Sequence, residues 1–123
     1  MEYRGFRDLK VYQVSYRLAL EIFDLTKNFP KEELYNLTDQ IRRSSRSVPS
    51  NIAEAWRRRK YPKAFVNKLT DSLAEESETE VTLDFSLDLN YINKESHDYL
   101  LQKYDEVARM LCSMIDNPDK FCH

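Results

Sequence analysis

Seven cations stand in two groups on one stretch of this chain: Arg42, Arg43 and Arg46, then Arg57, Arg58, Arg59 and Lys60. Guanidinium forks bind phosphate oxygens bidentately, so clustered arginines are suited to a phosphate backbone, RNA or DNA. A plainer reading stands beside that one. If the next helix packs antiparallel, the first three face a run of carboxylates, and the last four can form a solvated helix end. Other reactive groups are sparse. Glu76 and Glu80 lie one helical turn apart, a spacing open to acid, base or metal-ligand work. A di-iron bundle also needs Glu-x-x-His pairs on facing helices. Here His97 follows Glu95 by two positions and His123 ends the sequence, so no metal site is expected. The sequence has no glycine-rich phosphate loop, zinc-ligand spacing or serine–histidine–acid set. No catalytic residue and no cofactor is assigned, and a non-enzymatic protein is expected. Trp56, beside the second arginine group, has a ring that can stack on a base. A tryptophan at a helix end more often packs at that end or against another subunit, and the expectation places Trp56 at an oligomer interface.

These groups need a scaffold, and the apolar spacing supplies one. Leu34, Leu37, Ile41, Ser44 or Ser45, Val48, Ile52 and Ala55 recur at steps of three and four, one face of an α-helix. Pro49 interrupts it. An interior proline withholds an N–H from the carbonyl four residues back and costs about 3 kcal/mol. Either the helix kinks and continues, with Ser45 or a water serving the freed carbonyl, or it breaks and restarts with Ser47 as cap. The apolar phase is the same on both sides of Pro49, which favours the kink. Asn51 lies one turn from Ser47, so a buried polar network repairing the gap is expected there, with Glu54.

The chain has 123 residues, one glycine, four prolines and 33% charged residues. That suits one domain, 1–123, of long helices rather than strands and turns. The net charge of −2 excludes a general polycation. Cys112, on an expected core face, and Cys122, in the tail, are too few for a disulfide framework and read as free thiols. No apolar run approaches about 18 residues and the opening MEYRGFRDLK has no signal-like core, so a cytoplasmic protein with no membrane partner is expected.

The expected helices run about 8–27, 32–60, 62–90 and 94–116 in an antiparallel up-down-up-down four-helix bundle, the second kinked at Pro49. Asp8 is the expected cap of the first helix. That helix carries two apolar stripes, Val11 to Phe29 at heptad spacing and Leu9, Tyr12, Tyr16, Ala19, Leu20 and Phe23 beside it. A second stripe suggests a subunit interface through Tyr12, Tyr16 and Phe23; the alternative is a wide flank of one core. The third helix should bury Phe65, Leu69, Leu73, Glu76 or Ser77, Glu80, Leu83 and Leu87. Its span Asp71–Asp88 has seven carboxylates and no Lys or Arg. Asn93 should cap the fourth helix, and the DKFCH tail should fray.

Much of the chain resembles the bacterial four-helix-bundle family of proteins encoded in 23S rRNA intervening sequences. The resemblance rests on Phe29-Pro30-x-x-Glu33, on Gln40-Ile41-Arg42 and on the run Ser47-x-Pro49-x-Asn51-Ile52-Ala53-Glu54. A later Glu-x-Glu is matched by Glu78 and Glu80, which are assigned with Ser47, Asn51 and Glu54 to a structural polar network. Ala55 and Ala74-Glu75 stand where many relatives have glycine and glycine-serine. The resemblance implies a four-helix bundle and a homo-oligomer, a pentameric ring. Similar accessory proteins of diversity-generating retroelements imply binding of RNA or DNA and of a reverse transcriptase or other protein partner through a basic surface, here Arg42, Arg43, Arg46 and Arg57–Lys60.

Overall fold

In the computed structural model, which describes residues 3–123, the chain is an all-α four-helix bundle. Its helices are α1 (Lys10–Thr26), α2 (Leu37–Arg57), α3 (Pro62–Asp88) and α4 (Lys94–Asp116), with short 3-10 turns at Phe6–Asp8, Lys31–Glu33 and Pro118–Lys120. Each helix packs on the two beside it in the cyclic order α1, α2, α3, α4, and no contact crosses the diagonal among the described residues. Side-chain ties show that neighbours run antiparallel. Arg42 reaches Thr26, Thr79 and Ser72 reach Ser44 and Val48 in reversed order, and Tyr99 reaches Glu21.

The core follows the apolar spacing. Ile22, Ile41, Val48, Ile52, Phe65, Leu69, Leu83, Tyr104, Val107 and Leu111 are all fully buried. Each large aliphatic side chain so removed from water stabilises the fold by about 1.5–3 kcal/mol. Helix α2 runs unbroken through Pro49, which is itself buried. The serines around it bond back to the preceding turn, Ser45 to the Arg42 carbonyl at 3.2 Å and Ser47 to the Arg43 carbonyl at 2.9 Å. Asn51 donates to the Ser47 carbonyl at 2.9 Å. None of these hydroxyls or amides serves the Ser45 carbonyl that Pro49 leaves without its usual donor.

Small hydroxyl residues let α2 and α3 approach closely. Ser72 donates to the Val48 carbonyl at 2.8 Å, and the Thr79 and Ser44 hydroxyls share a hydrogen bond at 2.8 Å. The buried face of α3 therefore differs from the expected one. Phe65, Leu69, Glu76 and Leu83 are buried as expected, but Ser72, Thr79, Thr82 and Ser86 go inside as well, while Leu73 and Leu87 are only partly covered and Glu80 is half-buried. Thr82 and Ser86 each satisfy their hydroxyl on a carbonyl one turn back, so their burial strands no donor.

Several boundaries also move. Asp8 does not cap α1; it lies in the preceding turn and accepts the Arg4 N–H at 2.8 Å. The second helix starts at Leu37, since Lys31–Glu33 form a separate turn, and Leu34 is exposed. It ends at Arg57, so Arg58, Arg59 and Lys60 lie in the turn to α3. Cys112 is exposed rather than on the core face. The tail docks instead of fraying: Phe121 stacks on Phe65 at 6.1 Å and lies 6.3 Å from Tyr3. Asn93 caps α4 as expected, accepting the Ser96 N–H at 2.8 Å. No helix among the described residues is long and apolar enough to cross a membrane.

Candidate nucleic-acid interface

The end of α2 is built by a tight reversal. Pro62 in the first turn of α3 offers no N–H and holds Tyr61 extended, so the chain cannot continue as helix across that junction. Arg58 and Tyr61 close the turn with backbone bonds of 2.9 Å to the Ala55 and Arg58 carbonyls. Trp56 anchors it and is 4% exposed. The Arg59 guanidinium lies 3.7 Å over the indole, its Nε donates to the Trp56 carbonyl at 2.9 Å, and Tyr3 meets the ring edge-on at 5.6 Å. The indole is thereby closed off within one chain, which removes Trp56 both as a stacking platform and as an oligomer contact.

Around this anchor the termini gather more charge. A hollow of about 500 Å³ is lined by Arg4, Gly5, Trp56, Arg57, Arg59, Lys60 and His123. A second, of about 540 Å³, shares Trp56, Arg59 and His123 and adds Lys120. Among the described residues none of Arg57, Arg58, Arg59 and Lys60 is in an ion pair. Glu54, the nearest acid along α2, is taken by Lys68 at 3.2 Å. Sequence reasoning did not place Arg4, Lys120 and His123 here. The aromatic residues Tyr3 and Phe121 beside them were the available signal that both ends dock.

The first arginine group is positioned differently. Arg42 donates from Nε to the Thr26 hydroxyl at 2.8 Å and lies 4.4 Å over the Phe23 ring, with Arg46 at 5.5 Å from the same ring. Arg43 pairs with Asp39 on its own helix at 3.7 Å. None of the three forms an ion pair with α3. Arg46 and Arg57 are eleven residues apart, close to three full turns, and so project from one side of α2.

The other assigned residues scatter. Ser47, Asn51, Glu54, Glu78 and Glu80 are not joined to one another side chain to side chain; Glu54 and Glu78 are exposed, and Asn51 bonds only the Ser47 backbone. Tyr12 is half-buried against Phe6 at 5.1 Å and Tyr16 at 5.7 Å, whereas Tyr16 and Phe23 are open to solvent. The buried carboxyl is Glu76, 1% exposed, with Oε2 unpartnered. Burial first, then the Glu80 carboxylate, pushes its pKa up to about 9, so it is a neutral acid at pH 7. Tyr104, on α4, is equally buried with its hydroxyl unpartnered. No cluster of three or more possible metal ligands exists among the described residues.

The model of the 23S rRNA-intervening sequence protein family matches residues 7–113. The chain belongs to that family. A crystal structure at 1.70 Å resolution of a protein of unknown function from the S23 ribosomal protein family, from Bacteroides thetaiotaomicron VPI-5482, is similar. The two share 31% identity over 86% of this chain and 95% of that one, with a TM-score of 0.78. None of the curated proteins matches. Several residues on which the sequence resemblance rests fasten the bundle here. Phe29 is buried against Tyr91 at 5.4 Å, and Glu33 accepts the Tyr91 hydroxyl at 2.8 Å. Ile41, Pro49 and Ile52 are core.

Proposed function

We propose that this intervening-sequence protein is a non-enzymatic, self-associating factor that grips the phosphate backbone of RNA or DNA at the end of α2, as an accessory to a larger nucleoprotein. What supports this is one observation: Arg57 and Lys60 line the hollow beside the Trp56 anchor, Arg58 stands between them in the same turn, and none of the three is in an ion pair among the described residues, whereas Arg4 beside them pairs with Asp8 at 3.7 Å. Unpaired guanidinium groups on a rigid turn are preorganised for phosphate oxygens and release counterions on binding. Its proposed site of action is the cytoplasm; among the described residues no helix is long and apolar enough to cross a membrane.

The test is fluorescence anisotropy with labelled single-stranded and duplex RNA and DNA at rising salt. Affinity should fall steeply with salt, and the triple variant Arg57→Ala, Arg58→Ala, Lys60→Ala should bind at least about tenfold more weakly at 50 mM salt. Arg59 is left in place because it also covers Trp56. No binding at low salt, or an unchanged triple variant, would end the reading. A scaffold without nucleic-acid binding is the second reading, favoured by the net charge of −2 and by the open Tyr16–Phe23 face. Nuclease-resistant capture of a defined protein partner by a chain that binds no nucleic acid would select it.

A further inference from the structure

Three of the buried oxygens that find no hydrogen-bond partner among the described residues belong to three different helices. They are Glu21 Oε2 on α1, Glu76 Oε2 on α3 and the Tyr104 hydroxyl on α4. Tyr104 and Glu76 are fully buried, and Glu21 is half-buried with this oxygen turned inward. A buried polar atom without a partner forfeits the hydrogen bonds it made to water, so such atoms are few in folded proteins.

The helix register brings the three to one level. His97 and Asp84, 2.8 Å apart, fix α4 against α3. Tyr104 is seven residues after His97 and Glu76 eight before Asp84, so at about 1.5 Å per residue the two stand side by side. The bond from the Tyr99 hydroxyl to Glu21 Oε1 at 3.0 Å fixes α4 against α1. Helical side chains lean towards the N-terminus of their own helix. Because α1 and α4 are antiparallel, Tyr104 leans back towards the level of Glu21 and Glu21 towards that of Tyr104. Both carboxyls act on the Tyr104 hydroxyl: burial raises its pKa most, then Glu76, then Glu21.

Their donors and acceptors match a single water. Glu76 is neutral at pH 7 and gives its proton to the Glu80 carboxylate, which leaves Oε2 as an acceptor. Glu21 has Oε1 occupied by Tyr99 and offers Oε2 as a second acceptor. The Tyr104 hydroxyl supplies the donor. A direct bond from Tyr104 would still leave one carboxyl oxygen unserved. A buried water makes about three hydrogen bonds, donating two and accepting from a third group. Glu21 also lines a hollow of about 420 Å³ between α1 and α4, so it stands between solvent and the core and gives water a way in.

We infer that α1, α3 and α4 enclose a binding site for one ordered water, which accepts from the Tyr104 hydroxyl and donates to Glu76 Oε2 and Glu21 Oε2. So bound, the water fastens three helices through the interior of the bundle. None of its three partners lines the basic hollows at the end of α2.

Tyr104→Phe tests the site, because bound water and a merely stranded hydroxyl give opposite signs. With the water in place, the variant loses its donor and should melt about 4 °C below wild type. A stranded hydroxyl is better removed, and the variant would then melt at or above wild type. Phe keeps the ring and its packing, so the bundle stays folded. A crystal structure of the wild-type chain should show one water about 2.7–3.2 Å from Tyr104 Oη, Glu76 Oε2 and Glu21 Oε2. Density with no water touching all three, a direct bond from Tyr104 to either carboxyl in its place, or a Phe variant as stable as wild type each overturns the site.

Discussion

Arg42 lies 4.4 Å over the Phe23 ring with its Nε on the Thr26 hydroxyl, while Arg57, about four turns along the same helix, lines an open hollow with no side-chain hydrogen bond and only the Phe6 ring at 5.7 Å. The same residue type does two kinds of work on one element. In the middle of α2 the guanidinium is an adhesive between helices and a border to an apolar row. At the end of α2 Arg59 is held over Trp56 and donates to its carbonyl, while Arg57 and Lys60 lie only at 5.7 and 5.9 Å from the Phe6 and Tyr61 rings and, like Arg58, make no side-chain hydrogen bond or ion pair among the described residues. Charge counts along the sequence do not separate these cases. The aromatic residue each guanidinium finds, and the acids it does not, decide.

Both groups depend on the core beneath them, so the largest effect should come from there. Val48→Asp or Ile52→Asp places a charge at a fully buried position on α2. An unpaired buried charge costs about 3–5 kcal/mol, and both variants should lose cooperative unfolding near the wild-type melting temperature. Retained helicity with an unchanged melting curve would show that these positions are not shared core.

Glu76 is the reverse of the free arginines, an ionisable group sealed inside with no cation beside it, its Oε2 unpartnered and its nearest ionisable neighbour the Glu80 carboxyl. The folded state raises its pKa from 4.5 to about 9. A folded pKa above the unfolded one means that stability is fully present below about 4.5 and is lost as pH rises towards 9. Glu76→Gln removes that loss. The variant should match wild type near pH 4 and exceed it by about 1–3 kcal/mol at pH 8. Parallel stability curves for the two proteins would place Glu76 in a wetter site than the structure gives it.

The comparison of the arginine groups is sharpened by two variants of opposite effect. Arg57→Ala with Arg58→Ala should leave the melting temperature nearly unchanged, since exposed substitutions stay within about 0.5 kcal/mol, while lowering the salt slope of nucleic-acid binding. Arg42→Ala loses the Thr26 bond and the Phe23 contact and should cost about 1 kcal/mol of stability while leaving that slope in place. If both variants changed binding alike, the distinction between the groups would be lost.

The helices, their antiparallel order and the passage of α2 through Pro49 were legible because apolar spacing of three and four persists across each of them. The turn at Lys31–Glu33 was not, since Leu34 and Leu37 keep helical spacing although only Leu37 is covered. The buried face of α3 was hidden for a different reason. Thr79, Thr82 and Ser86 go inside because their hydroxyls are satisfied one turn back, and Ser72 because it donates across to the Val48 carbonyl of α2; hydropathy counts all four as surface. The basic end was half legible. Arg57–Lys60 stand together in sequence, whereas Arg4, Lys120 and His123 arrive only through the docking of Tyr3 and Phe121. Trp56 could not be placed without knowing that Arg59 folds back over it.

The smallest effect concerns the acidic side, where a cation does find carboxylates. His97 on α4 lies 2.8 Å from Asp84 on α3 and 3.1 Å from Asp98. The Asp84 bond is the main cause of its raised pKa, Asp98 adds to it and burial opposes. Because the folded pKa lies above the ordinary 6.5, the pair stabilises fully below about pH 6.5, and that contribution is lost as pH rises through the folded value. Asp84 is largely exposed, so water screens the pair and the effect should stay below about 1 kcal/mol. His97→Gln should flatten the stability curve in that window and leave it unchanged well above it. An NMR titration placing the His97 pKa at or below the ordinary value would mean that Asp84 does not hold the ring, and that the carboxylates of α3 are as free as the arginines at the end of α2.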